Sequence, residues 1–183
     1  MNKRLSRELQ LLEEEPCDYF TIIKITITND NKDNIFYINN EEMEKYTMMN
    51  KTNTNKHNKK ISKNKKQNIS TLIIKLPGPP GSIYTKEIFY LKIVIPQYYP
   101  ITRPCVKFTN THIPVNEHVY SNGCICISTL YDNWSPANTI RTIVLSIMLL
   151  LADAKEKKKP LDDIFMSKKK DPNDCKWIYH DEI

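Results

Sequence analysis

Residues Pro114–Pro136 read PVNEHVYSNGCICISTLYDNWSP, and the rest of the chain reads as a frame built to hold them. Over this short span come a histidine, an Asn122-Gly123 pair and two thiols, followed by Trp134 and Ser135-Pro136. Asn-Gly turns a chain sharply at little steric cost, so His118 before the turn is expected to fold back toward Cys126 after it. The combination is a nucleophile with a polar partner.

Upstream of this stretch lie four segments with strand character. Phe20–Thr28 (FTIIKITIT) is β-branched and roughly alternating. Ile69–Leu76 and Ile88–Ile95 (IFYLKIVI) follow, and Val106–Phe108 after Pro104 is a short fourth. Together they predict an antiparallel meander of four strands. Before them, residues 2–15 carry Leu5, Leu9 and Leu12 at helical spacing and stop at Pro16. Downstream, Ser135 suits an N-cap and Pro136 a first helical position. A helix from there through Asp153 would present Ile140, Ile143, Ile147, Leu150 and Leu151 to the sheet. Helix, strands, helix in that order predicts an α+β domain.

The chain has 183 residues and a net charge of +6, enough length for one domain with a core. The charge is concentrated. Between Asn39 and Ser70 there are eight lysines and three glutamates, a net +5, which leaves +1 for the remainder. From about Asn29 to Asn68 the chain is Asn- and Lys-rich, and this stretch, with the insertion itself at about residues 39–68, is read as a long loop between strands, because its composition buries too little apolar surface to offset the entropy of ordering it. Its Lys51–Lys66 part lacks the interleaved aromatics that stack on bases, which argues against a nucleic-acid partner. No apolar run reaches the roughly 20 residues of a membrane span, and MNKRLSRELQLLEEE has no apolar core of a signal peptide. The five cysteines, odd in number and irregularly spaced, fit reduced thiols in the cytoplasm and/or nucleus. The domain is expected over residues 1–160, with 161–183 a short irregular tail in which Trp177 and Tyr179 dock.

Several chemistries could use Cys124, Cys126 and His118. Buried free cysteines are commonly just small hydrophobes. Zinc could recruit His112 as a fourth ligand, but Cys-Ile-Cys is not a zinc-knuckle spacing. A redox pair of the thioredoxin kind would need two intervening residues, not one. Nucleophilic catalysis by one thiol with a neighbouring donor is the fourth reading.

Read in order, Gly78-Pro79-Pro80-Gly81-Ser82-Ile83-Tyr84, Tyr99-Pro100 through Pro104, Asn122-Gly123-Cys124-Ile125-Cys126-Ile127 and Trp134-Ser135-Pro136-Ala137 resemble the signatures of the ubiquitin-conjugating enzymes. Ile113-Pro114-Val115, His118 through Gly123, Lys155-Glu156-Lys157 and the tail around Lys176-Trp177 resemble the W-type branch, which modifies protein N-termini. The resemblance implies that Cys126, not Cys124, accepts ubiquitin. It places His118 where most of the family has the asparagine of His-Pro-Asn, the triplet here being Asn116-Glu117-His118. His118 would help hold the loop or the developing oxyanion, with Asn116, Glu117, Asn122 and Ser128 in support. Loss of the proline puts the rigidity of that turn in question. The implied partners are ubiquitin, an activating enzyme met by Lys3, Arg4 and Arg7, a RING or U-box ligase met by Ile101 and Ser135-Pro136-Ala137, and a protein substrate. No cofactor is implied, since ATP is consumed by the activating enzyme. Ser128, where most members have an acidic residue, and the run Lys157-Lys158-Lys159 point to α-amino acceptors rather than lysines. The alternative is an inactive module of the same fold that only binds.

Overall fold

The computed structural model describes residues 2–29, 32–37, 44, 69–109 and 112–169. Helix α1 (Lys3–Glu14) leads into strands β1 (Thr21–Asn29), β2 (Lys32–Tyr37), β3 (Ile69–Pro77), β4 (Ile88–Ile95) and β5 (Cys105–Phe108). A single 3-10 turn (Ser128–Leu130), helix α2 (Ile140–Asp153) and the short helix α3 (Asp163–Met166) follow. The strands form one antiparallel sheet in the order β2-β1-β3-β4-β5. The α+β class therefore stands with a fifth strand. β2 lies in the Asn-rich stretch read as loop, and among the described residues it pairs only with β1, at the sheet edge. There Ile35 and Phe36 stay exposed, so β2 gains its place from ladder hydrogen bonds and not from an apolar face that periodicity would reveal. Apart from residue 44, the rest of the inserted stretch, Cys175 and the aromatic tail of Trp177 and Tyr179 lie outside the described residues.

One face of the sheet carries the main core. Leu72, Ile74, Leu76, Phe89, Leu91 and Ile93 alternate along β3 and β4 and are fully enclosed, with Leu5 of α1 and Ile140, Ile143, Val144, Ile147 and Leu151 of α2 against them. On the opposite face Ile23, Ile73 and Tyr90 make a smaller cluster. None of the helices among the described residues is long and apolar enough to cross a membrane.

Two details differ from the sequence reading. α2 begins at Ile140, five residues after Ser135, with Thr139 as its N-cap in a reciprocal capping box with Thr142. Ser135 instead opens a tight turn: its carbonyl accepts from Asn138 N at 2.9 Å and its Oγ from Ala137 N at 3.3 Å. Serine followed by proline suits a turn as well as a helix start. The second detail is Glu8. It sits on the same stripe of α1 as Leu5, Leu9 and Leu12 and is 6% exposed. Its carboxylate accepts from Tyr99 Oη at 3.0 and 3.1 Å, from the α2 backbone at Ile140 N at 2.7 Å, and from Arg4 Nε. Burial, joined by this carboxylate, raises the Tyr99 hydroxyl well above its ordinary pKa, so it remains a donor.

Removing a buried, fully paired carboxylate leaves several donors without acceptors. Glu8→Ala is therefore expected to cost about 3 kcal/mol in urea unfolding, and Glu8→Gln, which keeps one acceptor oxygen, less. A loss below about 1 kcal/mol for Glu8→Ala would show that this junction is dispensable.

Candidate functional site

The thiol stretch is stitched to the exposed edge of β5. Phe108 N–H donates to the Gly123 carbonyl at 2.8 Å, and Lys107 pairs with Cys124. From there the chain closes on itself through Gly123 N to Tyr120 O (2.8 Å), Tyr120 N to Cys124 O (2.9 Å) and Cys126 N to His118 O (2.8 Å). Gly123 has φ +85°, and a Cβ on it would stand 2.3 Å from the Phe108 carbonyl oxygen, so only glycine fits between turn and strand. Asn122 Oδ1 accepts from Cys124 N at 3.0 Å and fixes the turn from its other side. His118 and Cys126 are thus adjacent across a small hairpin, as the Asn-Gly pair implies.

The turn that holds His118 lacks the family's proline, yet hydrogen bonds constrain it. Asn116, 2% exposed, accepts from His118 N through its Oδ1 at 2.8 Å, and its carbonyl takes Val119 N at 3.1 Å. Asn116 Nδ2 reaches the Tyr84 hydroxyl at 3.4 Å, and that hydroxyl donates to the Val115 carbonyl at 2.6 Å. Tyr84 is itself set by the Pro77–Tyr84 bend, where a Cβ on Gly78 would collide with the Tyr84 carbonyl. The His118 ring is 19% exposed; its Nε2 faces the exposed Glu117 carboxylate at 3.9 Å, while its Nδ1 is enclosed and makes no hydrogen bond among the described residues. Cys124 and Cys126 are each 2% exposed and cluster with Tyr120, against which Met166 packs. Ser128, also buried, opens the 3-10 turn and accepts from Tyr131 N and Asn133 N through its carbonyl.

The remaining candidates divide. Ile101, at 77% exposed, and Ser135, Pro136 and Ala137, all exposed, share one end of the molecule. Trp134 joins the two loops, its Nε1 donating to the Pro100 carbonyl at 2.9 Å; the Tyr99-Pro100 peptide there is cis. Lys3 and Arg7 are exposed on α1, whereas Arg4 is turned to Glu8 and serves the fold. His112 stacks on Phe89 and bonds Glu87 at 2.7 Å, which takes it away from the thiols. Among the described residues no group of three His, Cys, Asp or Glu could hold a metal ion. The lysine run is not a free positive gate: Lys157 pairs with Glu87 at 2.5 Å, and Lys159 bonds Ser121 Oγ at 2.8 Å with Asp163 at 3.6 Å. Burial raises the Glu87 carboxyl's pKa, but hydrogen bonds from Lys157 and His112 outweigh it and leave the group below the ordinary range.

Sequence reasoning missed Asp162 and Asp163. Both lie in the segment read as irregular tail, and both reach the thiol hairpin: Tyr120 Oη donates to Asp162, and Ser121 donates to Asp163 from both its N and its Oγ. The signal, an acidic pair just after Pro160, is too common to single out.

The family model for ubiquitin-conjugating enzymes matches residues 39–177 of this chain. The chain is 42% identical over 116 residues to a probable ubiquitin-conjugating enzyme E2 W-A of Danio rerio, covering 62% of this chain and 77% of that one. It is 41% identical over 125 residues to a probable ubiquitin-conjugating enzyme E2 W of Dictyostelium discoideum, covering 67% and 83%. Among solved structures, it is similar to the ubiquitin conjugating enzyme E2 UbcA1 of Agrocybe aegerita in fold, with TM-score 0.61 and 24% identity over 88% of this chain and 89% of that one. A ubiquitin conjugating enzyme E2 from Plasmodium falciparum matches with TM-score 0.55 and 27% identity over 84% of this chain and all of that one. With the family model spanning most of its length and W-type relatives 42% and 41% identical over 62% and 67% of it, the chain belongs to the ubiquitin-conjugating enzyme family, whose members work with ubiquitin, an activating enzyme and ligases.

Proposed function

We propose that Cys126 is the thiol that accepts ubiquitin, with His118 as its positioning and oxyanion-binding partner, and that the charged enzyme prefers protein α-amino groups as acceptors. The observation that carries the first part is the His118–Cys126 backbone pair together with the unbonded, enclosed His118 Nδ1. A buried nitrogen without a partner costs about 1–3 kcal/mol, which is explicable if a reacting group supplies the partner.

In this reading the Cys126 thiolate attacks the thioester carbonyl joining ubiquitin to the activating enzyme and expels that enzyme's thiolate. An unprotonated amine then attacks the Cys126 thioester. The carbonyl oxygen carries the transient negative charge, and collapse releases Cys126 as thiolate while the new amide nitrogen gives up its proton. Lys3 and Arg7 would meet the activating enzyme, without Arg4; Ile101 with Ser135, Pro136 and Ala137 would meet a RING or U-box ligase. The inactive binding module has no observation in its favour.

For the acceptor, support comes from Ser128, at the position where the resemblance expects an acidic residue that could receive an ammonium proton, and from the W-type names of two relatives. An α-amino group, with a pKa near 7.8, has roughly a 300-fold larger share of free amine at neutral pH than lysine near 10.4. Lower nucleophilicity of the weaker base returns part of that advantage.

Incubation with ubiquitin, activating enzyme and ATP is expected to give an adduct that thiol reductants remove, absent or replaced by a stable ester in Cys126→Ser and retained in Cys124→Ser. Loss of charging in Cys124→Ser alone would reassign the thiol. His118→Ala should slow discharge of the thioester more than charging, by about tenfold to a thousandfold in single-turnover assays; equal slowing of both steps argues for a folding role. Discharge to a lysine-free peptide is expected to outpace discharge to its N-acetylated form and to N-acetyl-lysine, and the reverse order would remove the α-amino assignment.

A further inference from the structure

The segment Pro160–Lys169 lies across the thiol hairpin. Asp163 receives Ser121 twice, from the backbone N at 2.7 Å and from Oγ at 2.6 Å. Tyr120 Oη donates to the Asp162 carboxylate at 3.1 and 3.3 Å. Asn122 Nδ2 donates to the carbonyls of Met166 at 3.2 Å and Lys169 at 2.9 Å. Met166 packs on the cluster of Tyr120, Cys124 and Cys126, and in this arrangement Cys126 is 2% exposed. An incoming carbonyl carbon must approach Sγ to bonding distance with a whole protein behind it. A side chain this enclosed does not admit that approach.

Apart from Met166 and the buried Pro160, the docked segment is held by polar contacts that water can replace, and its other large apolar residues face solvent: Leu161 is 95% exposed, Ile164 69% and Phe165 73%. Burial, the dominant stabilising effect in folding, contributes little to keeping it down. Local openings are drawn from such low-stability parts of a structure. We propose that Pro160–Lys169 is a displaceable clasp, latched by Asp163 on Ser121, whose docked state shields Cys126 from acyl transfer and whose release exposes it. The proposal rests on the reading that Cys126 is the reacting thiol.

The latch is matched in charge. Burial raises the Asp163 pKa, but the two hydrogen bonds from Ser121, with Lys159 nearby, more than reverse this and hold the carboxyl below its ordinary value, so it is ionised at neutral pH.

The test is the rate of alkylation of each cysteine by iodoacetamide in the full chain, followed by peptide mass spectrometry, with Cys17, which follows α1 away from the hairpin, as the reference. Asp163→Ala is expected to speed alkylation of Cys126 about tenfold, as loss of two charge-assisted hydrogen bonds should, with Cys17 unchanged. Removing a carboxylate could also act by lowering the thiol's pKa, so the ratio is followed from pH 7 to above the thiol's titration; a released clasp keeps the ratio, and a ratio that vanishes once both thiols are ionised overturns the proposal. Ser121→Ala changes no charge and should speed Cys126 several-fold; an unchanged rate in this variant overturns the proposal even if Asp163→Ala unfolds. Because alkylation needs no ubiquitin, faster alkylation without any charging would refute the assignment of Cys126 as nucleophile and leave the clasp standing.

Discussion

The molecule depends on a carboxylate placed where carboxylates are costly. Glu8 is withdrawn from water on the apolar stripe of α1, and such a charge persists only when its oxygens are satisfied. Its partners come from three parts of the chain: Arg4 one turn back on α1, the Tyr99 hydroxyl in the loop after β4, and the first helical N–H of α2. The last is favourable for a second reason, since a helix N-terminus carries partial positive charge. Because every donor is directional, Glu8 fixes where α2 begins and how the Tyr99-Pro100 loop sits beside it. Asn2 adds to this junction by donating to the Tyr99 carbonyl. Through Trp134 on Pro100, the same junction sets the exposed Ser135-Pro136-Ala137 turn beside Ile101.

The thiol hairpin is fixed by a different means, chiefly backbone hydrogen bonds. Without proline after Asn116, the turn could sample more conformations, and a histidine held loosely would approach Cys126 in many geometries. The Asn116 side chain restores the constraint by bonding His118 N, and because Asn116 is itself enclosed beneath the Tyr84 hydroxyl, it has little freedom of its own. Position 117 is thereby released from a backbone duty, which is consistent with an exposed glutamate there. Rigidity that a ring closure could supply locally is supplied here by a buried polar network.

What was legible in the sequence was local. The Asn122-Gly123 turn, the alternating strands and the leucines of α1 each carry their signal within a few residues, and the structure places them as read. What was not legible depended on partners distant in sequence. Glu8 lies 132 positions from Ile140, and an acidic residue in an amphipathic helix ordinarily reads as solvated; only its place among Leu5, Leu9 and Leu12 set it apart. β2 escaped notice because an edge strand with both faces partly wet needs no apolar alternation. Ser135-Pro136 misled because the same two residues suit a helix start and a turn, and the choice was made by Glu8 taking Ile140 N. Asp162 and Asp163 escaped because nothing in a polar tail says that it will fold back onto a hairpin some forty residues earlier.

The tail also changes the electrostatic case for acceptor choice. In the sequence, three consecutive lysines suggested a positive field that repels an incoming lysine ammonium. In the structure, Lys157 and Lys159 have carboxylates within salt-bridge distance, so the local field is far weaker than three free cations would make. Repulsion therefore cannot be the main source of the proposed selectivity. Asp162 and Asp163 do not supply the missing base in the docked arrangement either, because their oxygens accept from Tyr120 and Ser121, and Asp163, held below its ordinary pKa, is a poor proton acceptor. What remains is the acceptor's own protonation equilibrium. An enzyme that offers no base at position 128 leaves deprotonation to the solvent, and under that condition the amine with the lower pKa is the one present in reactive form.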